Sequence, residues 1–189
     1  ELSACLVGSE MCIRDRLTAD AMEAGAYGLS TGLIYPPGIF AKTEEIVKLA
    51  EVVAKHGGVY DSHIRGEGKN LIKSVEEAIA IGEKAGLPVQ ICHHKVSNRE
   101  VWGKSVETLR MMDEARSRGL DVSLDQYPYL AGATSLVTLL PPWAHDGGTE
   151  KLLERLRDPE TRERMRSNMV TGLEGWENFS GDIGWENIV

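Results

Sequence analysis

Two short stretches decide the fold: Gly58-Val59-Tyr60-Asp61-Ser62-His63-Ile64-Arg65 and Pro88-Val89-Gln90-Ile91-Cys92-His93-His94-Lys95. Each is an apolar run of strand length that ends in histidine and then a cation, and a helical pattern separates them. If both are parallel strands, their histidines emerge side by side at one edge of a sheet. Ligand sites gather at such carboxyl ends in parallel α/β folds. Two imidazoles so placed point to a metal, with a pair of hydrogen-bonded loop histidines as the plain alternative. Strand alternation puts Val59, Asp61 and His63 on one face and Val89, Ile91 and His93 on one face. It therefore favours His93 over His94 as the ligand, with His94 as a neighbour.

The flanks repeat the same unit. Thr18 reads as the cap of a helix over 19–24, and the Ala26–Gly32 run as a strand. Thr43 reads as the cap of a second helix with Glu44 and Glu45 in its first turn. Ile46, Val47, Leu49, Ala50, Val53 and Ala54 recur there at helical spacing up to Gly57. Residues 70–85 form a third helix with Ile72, Val75, Ala78, Ile79 and Gly82 on its buried stripe, and 105–117 a fourth that Gly119 stops. Asp121–Asp125 is a further strand, and 150–168 a polar helical region that Asp158-Pro159 breaks. Residues 185–189 read as the start of one more strand. Strands alternating with crossover-length helices mean an α/β fold with a parallel sheet and right-handed βαβ units. Four strands in 189 residues are too few for a closed (β/α)8 barrel, so the expectation is a partial (β/α)8 TIM-type barrel.

Residues 1–16 show neither period and read as a leader, artefactual or construction-derived, with the barrel fragment over 17–189. The net charge of −8 argues against nucleic acid or an anionic membrane as partner. No run approaches membrane-span length. Cys5, Cys12 and Cys92 form no disulfide framework, which fits a reducing, cytoplasmic setting. Lys95 and Arg65 each follow a histidine by two residues and are candidates to hold a substrate carboxylate, against the plain reading of solvated strand ends. Tyr35, Tyr127 and Tyr129 lie in loops after strands, where a phenol could donate to an oxyanion or simply pack beside proline. His56 and His145 read as surface residues. Asp61 and Asp125 read either as partners of the site or as backbone staples.

Four motifs resemble the N-acyl-D-amino-acid deacylases (D-aminoacylases) of the metal-dependent amidohydrolases. They are Gly-Leu-Ser-Thr-Gly-Leu-Ile-Tyr-Pro-Pro-Gly at 28–38, Tyr-Asp-Ser-His-Ile-Arg-Gly-Glu at 60–67, Ile-Cys-His-His-Lys at 91–95 and Asp-Gln-Tyr-Pro-Tyr-Leu-Ala-Gly-Ala-Thr at 125–134. Leu139–Trp143 and Arg155–Pro159 are similar too. The resemblance implies a (β/α)8 barrel with a small β-domain, and a Zn2+ held by His63, His93 and a cysteine. It implies that zinc-activated water attacks the amide carbonyl of a small-molecule N-acyl amino acid. Lys95, Tyr35, one of Tyr127 or Tyr129, and more weakly Arg65 would be substrate contacts.

Three family features have no match here. These are the His-x-His of the first barrel strand, the zinc-binding cysteine, expected upstream, and the aspartate base, expected downstream of Val189. Ala133 stands where relatives carry serine, with Thr134 or Ser135 as substitutes. The expectation is thus a central piece of such an enzyme, inactive by itself. The alternatives are another amidohydrolase, acting on cyclic imides or dipeptides, or a non-catalytic binding module.

Overall fold

The computed structural model describes residues 10–189, with side chains described from Ile13 onward. Cys5, the side chain of Cys12, and residues 1–9 of the expected leader lie outside the described residues. The element order is α1 (Glu10–Glu23), β1 (Gly28–Gly32), α2 (Thr43–Lys55), β2 (Val59–His63), α3 (Leu71–Ala85), β3 (Val89–Ile91), α4 (Ser105–Ser117), β4 (Val122–Leu124), α5 (Gly148–Arg157), α6 (Pro159–Thr171) and α7 (Phe179–Ile183). The four strands pair in parallel in the order β1-β2-β3-β4. Sequential order, with a helix after each strand up to β4, is a run of βα units turning one way, as in part of a barrel wall.

Register sorts the two faces. Tyr60, Val89 and Val122 align across β2–β4, as do Ser62, Ile91 and Leu124. Tyr60, Ser62, Val89, Ile91 and Val122 are at most 1% exposed. Tyr60, Val89, Ile91 and Val122 meet Ala50, Val53, Val75, Ala78, Ile81 and Ala115 of the helices in one apolar cluster. The phenol of Tyr60 is accommodated there because it bonds Thr31 Oγ1 at 2.9 Å and Ser62 Oγ at 3.1 Å, as a buried polar group requires. Gly82 lets α3 lie flat on β3: a Cβ there would stand 2.2 Å from Val89 Cγ2. The opposite face is polar, with Ser30, Asp61, Gln90 and Ser123 in one row.

Local expectations fail where a neighbour changes the boundary. Helix α1 starts at Glu10 and runs through Thr18, which caps nothing, and Arg14 pairs with Glu45 of α2. Thr43 is the first helical residue, and its hydroxyl donates to Glu77 Oε1 at 2.7 Å across to α3. Residues 185–187 form a 3-10 turn where a strand is expected from the sequence, and they join no strand of the described sheet. The break at Asp158 is as read: its carboxylate accepts from Thr161 N at 2.8 Å and caps α6. His145 is half-buried rather than at the surface. No helix among the described residues is long and apolar enough to cross a membrane.

Candidate metal centre

Alternation alone would separate the two histidines. The register pairs Asp61 with Gln90, so Val89 and Ile91 share the helix-facing side with Tyr60 and Ser62, away from His63. The next aligned residue is Cys92, whose thiol donates to Asp61 Oδ1 at 2.8 Å on the polar face. Continued regularly, the strand would turn His93 into the helices.

It does not continue regularly. The nitrogen that takes Asp125 O is His94 N (2.9 Å), while His93 N instead donates to Asp125 Oδ1 at 2.5 Å. One extra residue is thus accommodated in a bulge. His93 takes φ of +36°, the single described non-glycine residue with positive φ. Such strain persists only where the surroundings impose it. The outcome is that His93 swings back beside His63, with ring centroids 4.4 Å apart. His94 points the other way, buried, with Nε2 2.8 Å from Thr108 Oγ1 on α4, and burial holds its pKa low.

The paired rings gather a cluster. Tyr35 stands edge-on to His63 at 4.8 Å and Tyr127 lies 6.4 Å from His93. Lys95 Nζ is 2.9 Å from His93 Nδ1 and 5.5 Å from the Tyr127 ring centre. Tyr129 is 6.4 Å from Tyr127 but 73% exposed, at the rim. Tyr35 Oη meets Thr134 Oγ1 at 3.1 Å, which ties the Tyr35 loop to the segment containing Ala133.

Arg65 is not part of this cluster. Its Nε and Nη2 donate to Glu77 at 2.8 and 2.9 Å, and Nη1 and Nη2 donate to the carbonyls of Ile39 and Ala41, both at 3.0 Å. Through these four bonds the guanidinium holds the β1–α2 loop to α3.

The residue that sequence reading passed over is Glu67. It is 2% exposed, and its Oε1 lies 2.5 Å from Lys95 Nζ, 3.2 Å from His93 Nδ1 and 3.6 Å from His63 Nε2. The signal was its place four residues after His63, but with β2 ending at His63 that spacing carries no periodic meaning. Only the folded loop makes the contact.

These residues suit a metal. His63, Glu67 and His93 offer donor atoms all within 4.8 Å of one another. His63 Nε2 is buried with no hydrogen-bond partner, an arrangement that leaves a lone pair directed at the cluster. Burial first, then the positive fields of His93 and Lys95, lower the His63 pKa to about 3, so its imidazole is neutral, as a ligand must be. Cys92 turns its thiol to Asp61 Oδ1 and stands outside the His63–Glu67–His93 group, and burial, then that bond, push the thiol up to about 12. Asp61 and Asp125 act as staples between strands, Asp61 accepting also from Ser30 Oγ at 2.9 Å and Asp125 from Gln90 Nε2 at 3.0 Å.

No protein-family model matches the chain. It is 42% identical over 136 residues to a D-aminoacylase of Alcaligenes xylosoxydans xylosoxydans, a match covering 72% of this chain and 28% of the relative. Its fold superposes on a crystal structure of D-aminoacylase, described as defining a novel subset of amidohydrolases. The TM-score is 0.63 at 44% identity, over 65% of this chain and 26% of that one. The chain belongs to the N-acyl-D-amino-acid deacylase family. A second family structure, an N-acyl-D-glutamate deacylase from Bordetella bronchiseptica, was solved with zinc and a phosphonate inhibitor that mimics the tetrahedral intermediate. It gives a TM-score of 0.60 at 43% identity, over 61% of this chain and 24% of that one. The curated relatives are matched over only 24–28% of their length, and the sheet seen here is accordingly part of the amidohydrolase barrel.

Proposed function

We propose that the complete natural polypeptide carrying this sequence is a zinc-dependent hydrolase of N-acyl-D-amino acids, and that the wall described here supplies two zinc ligands and the carboxylate-binding side of its site. The observation that carries this reading is His63 Nε2, buried, unpartnered, and facing His93 and Glu67. His63 and His93 would hold the zinc. When bound, zinc supplies Lewis acidity and makes hydroxide available near neutral pH. Glu67 holds the Lys95 ammonium by the 2.5 Å contact, and Lys95 receives the substrate carboxylate as a positioned charge. Tyr35, against His63, donates its phenol to the carbonyl oxygen as charge develops there. Tyr127 covers Lys95 and shields the pair from water. Tyr129 lines the entrance.

The test is turnover by the zinc-loaded complete polypeptide on matched N-acyl-D-amino acids, N-acyl-L-amino acids, hydantoins and dipeptides, alongside metal analysis. The expected result is hydrolysis confined to N-acyl-D-amino acids. His63→Ala and His93→Ala each weaken zinc binding on the order of 100-fold or more. Preferential turnover of a cyclic imide or a dipeptide would replace the substrate class, and unchanged zinc affinity in both variants would remove the metal assignment.

A further inference from the structure

Glu67 lies in the loop Gly66-Glu67-Gly68, and a second buried acid is pressed onto that loop from far along the chain. Glu177 is 3% exposed, and neither of its carboxylate oxygens has a well-formed hydrogen-bond partner. The two glycines show how close it comes. A Cβ on Gly66 would stand 2.5 Å from Glu177 Oε2, and one on Gly68 would stand 2.2 Å from Oε1. Neither glycine has positive φ, so space rather than backbone conformation excludes a side chain.

The Gly66–Gly68 backbone lies against it on one side. Asp182 flanks it, its Oδ2 3.1 Å from the same Gly68 Cβ position, and both acids line a cavity of about 400 Å³. Asp182 Oδ1 accepts from Asn98 Nδ2 at 2.6 Å, and Ser97 N donates to Glu67 O at 2.9 Å. Trp176, next in chain and 8% exposed, borders a cavity of about 10 Å³ together with Ile34, Pro36 and Ile39 of the Tyr35 loop.

We infer that Glu177 is a positioning residue for Glu67: wedged between Asp182 and the Gly66–Gly68 backbone, it fixes the loop so that the Glu67 carboxylate stays on Lys95 and the two histidines. The kinetic consequence rests on the functional reading above; the brace itself does not.

Backbone-amide hydrogen exchange and steady-state kinetics on the complete polypeptide test it, with Glu177→Gln, Glu177→Ala and Gly68→Ala. Glutamine keeps the size and shape of the acid and so fills the same space against the two glycines. It should leave exchange at Glu67 and Gly68 within about twofold of wild type, whereas the two alanine variants accelerate it about tenfold or more. Glu177→Ala should raise KM about tenfold with little change in kcat, because Lys95 loses its fixed position. In a Glu67→Gln background Glu177→Ala should cost nothing further, since it acts through Glu67. Additive losses, or a glutamine variant as damaged as alanine, would overturn the inference. Should Glu177→Ala fail to fold, Gly68→Ala carries the same comparisons. If wild type neither binds zinc nor turns over an N-acyl-D-amino acid, the functional reading falls, and the exchange comparison alone decides the brace.

Discussion

Replacing Arg65 by alanine separates a scaffold role from a substrate role. The side chain makes four hydrogen bonds, two to Glu77 and one each to the carbonyls of Ile39 and Ala41. The Arg65 side chain is 24% exposed and that of Glu77 12%. Breaking a fully buried pair by removing one partner costs about 3–5 kcal/mol, because the other charge stays behind. Partial exposure lets water recover part of that, and Thr43 Oγ1 still donates to Glu77 Oε1 at 2.7 Å. The expected cost of Arg65→Ala is therefore about 2–3 kcal/mol. Arg65→Lys should recover only a minor part, since one ammonium cannot reach a carboxylate and two carbonyls with a planar fork. Urea unfolding of the complete polypeptide, followed by circular dichroism, reads the loss. A double-mutant cycle with Glu77→Ala apportions it. KM for an N-acyl-D-amino acid should stay within about threefold, because the guanidinium touches no residue of the histidine cluster. Wild-type stability together with a KM raised tenfold or more would refute this and return Arg65 to the substrate.

Two further outcomes follow from contacts elsewhere. Gly82→Ala drives a methyl to within 2.2 Å of Val89 Cγ2 and should lower stability by about 1–3 kcal/mol in the same unfolding assay, as overpacking does; an unchanged midpoint would show that α3 does not rest on β3 through Gly82. Burial, then the charges of Asp182 and Glu67, raise the Glu177 pKa from the ordinary 4.5 to about 7. A raised acid stabilises the fold fully below its unfolded value, and this contribution is lost as pH rises through its folded value. Wild type should therefore lose about 3 kcal/mol relative to Glu177→Gln between pH 4.5 and somewhat above 7. Parallel stability curves for the two proteins over that range would show that Glu177 is not shielded from solvent.

The sequence by itself determined the βα repeat. Helical stripes such as Val75, Ala78, Ile79 and Gly82, and apolar runs such as Val89–Ile91, are periods that a chain displays before it folds. It also placed His63, because that residue ends a strand whose face its alternation fixes. The remainder of the candidate centre was decided by tertiary structure. His93 reaches His63 through the extra residue accommodated against Asp125 and a left-handed backbone, an exception to alternation that carries no period. Glu67 enters the cluster through the path of an irregular loop, and Arg65 leaves it because Glu77 and two carbonyls compete successfully for the guanidinium. Glu177 meets that loop from more than a hundred residues away. Periodic hydrophobicity records which side of an element is buried. Where a polar side chain finds its partner is settled only when desolvation makes an unpaired group costly, and that happens in the assembled fold.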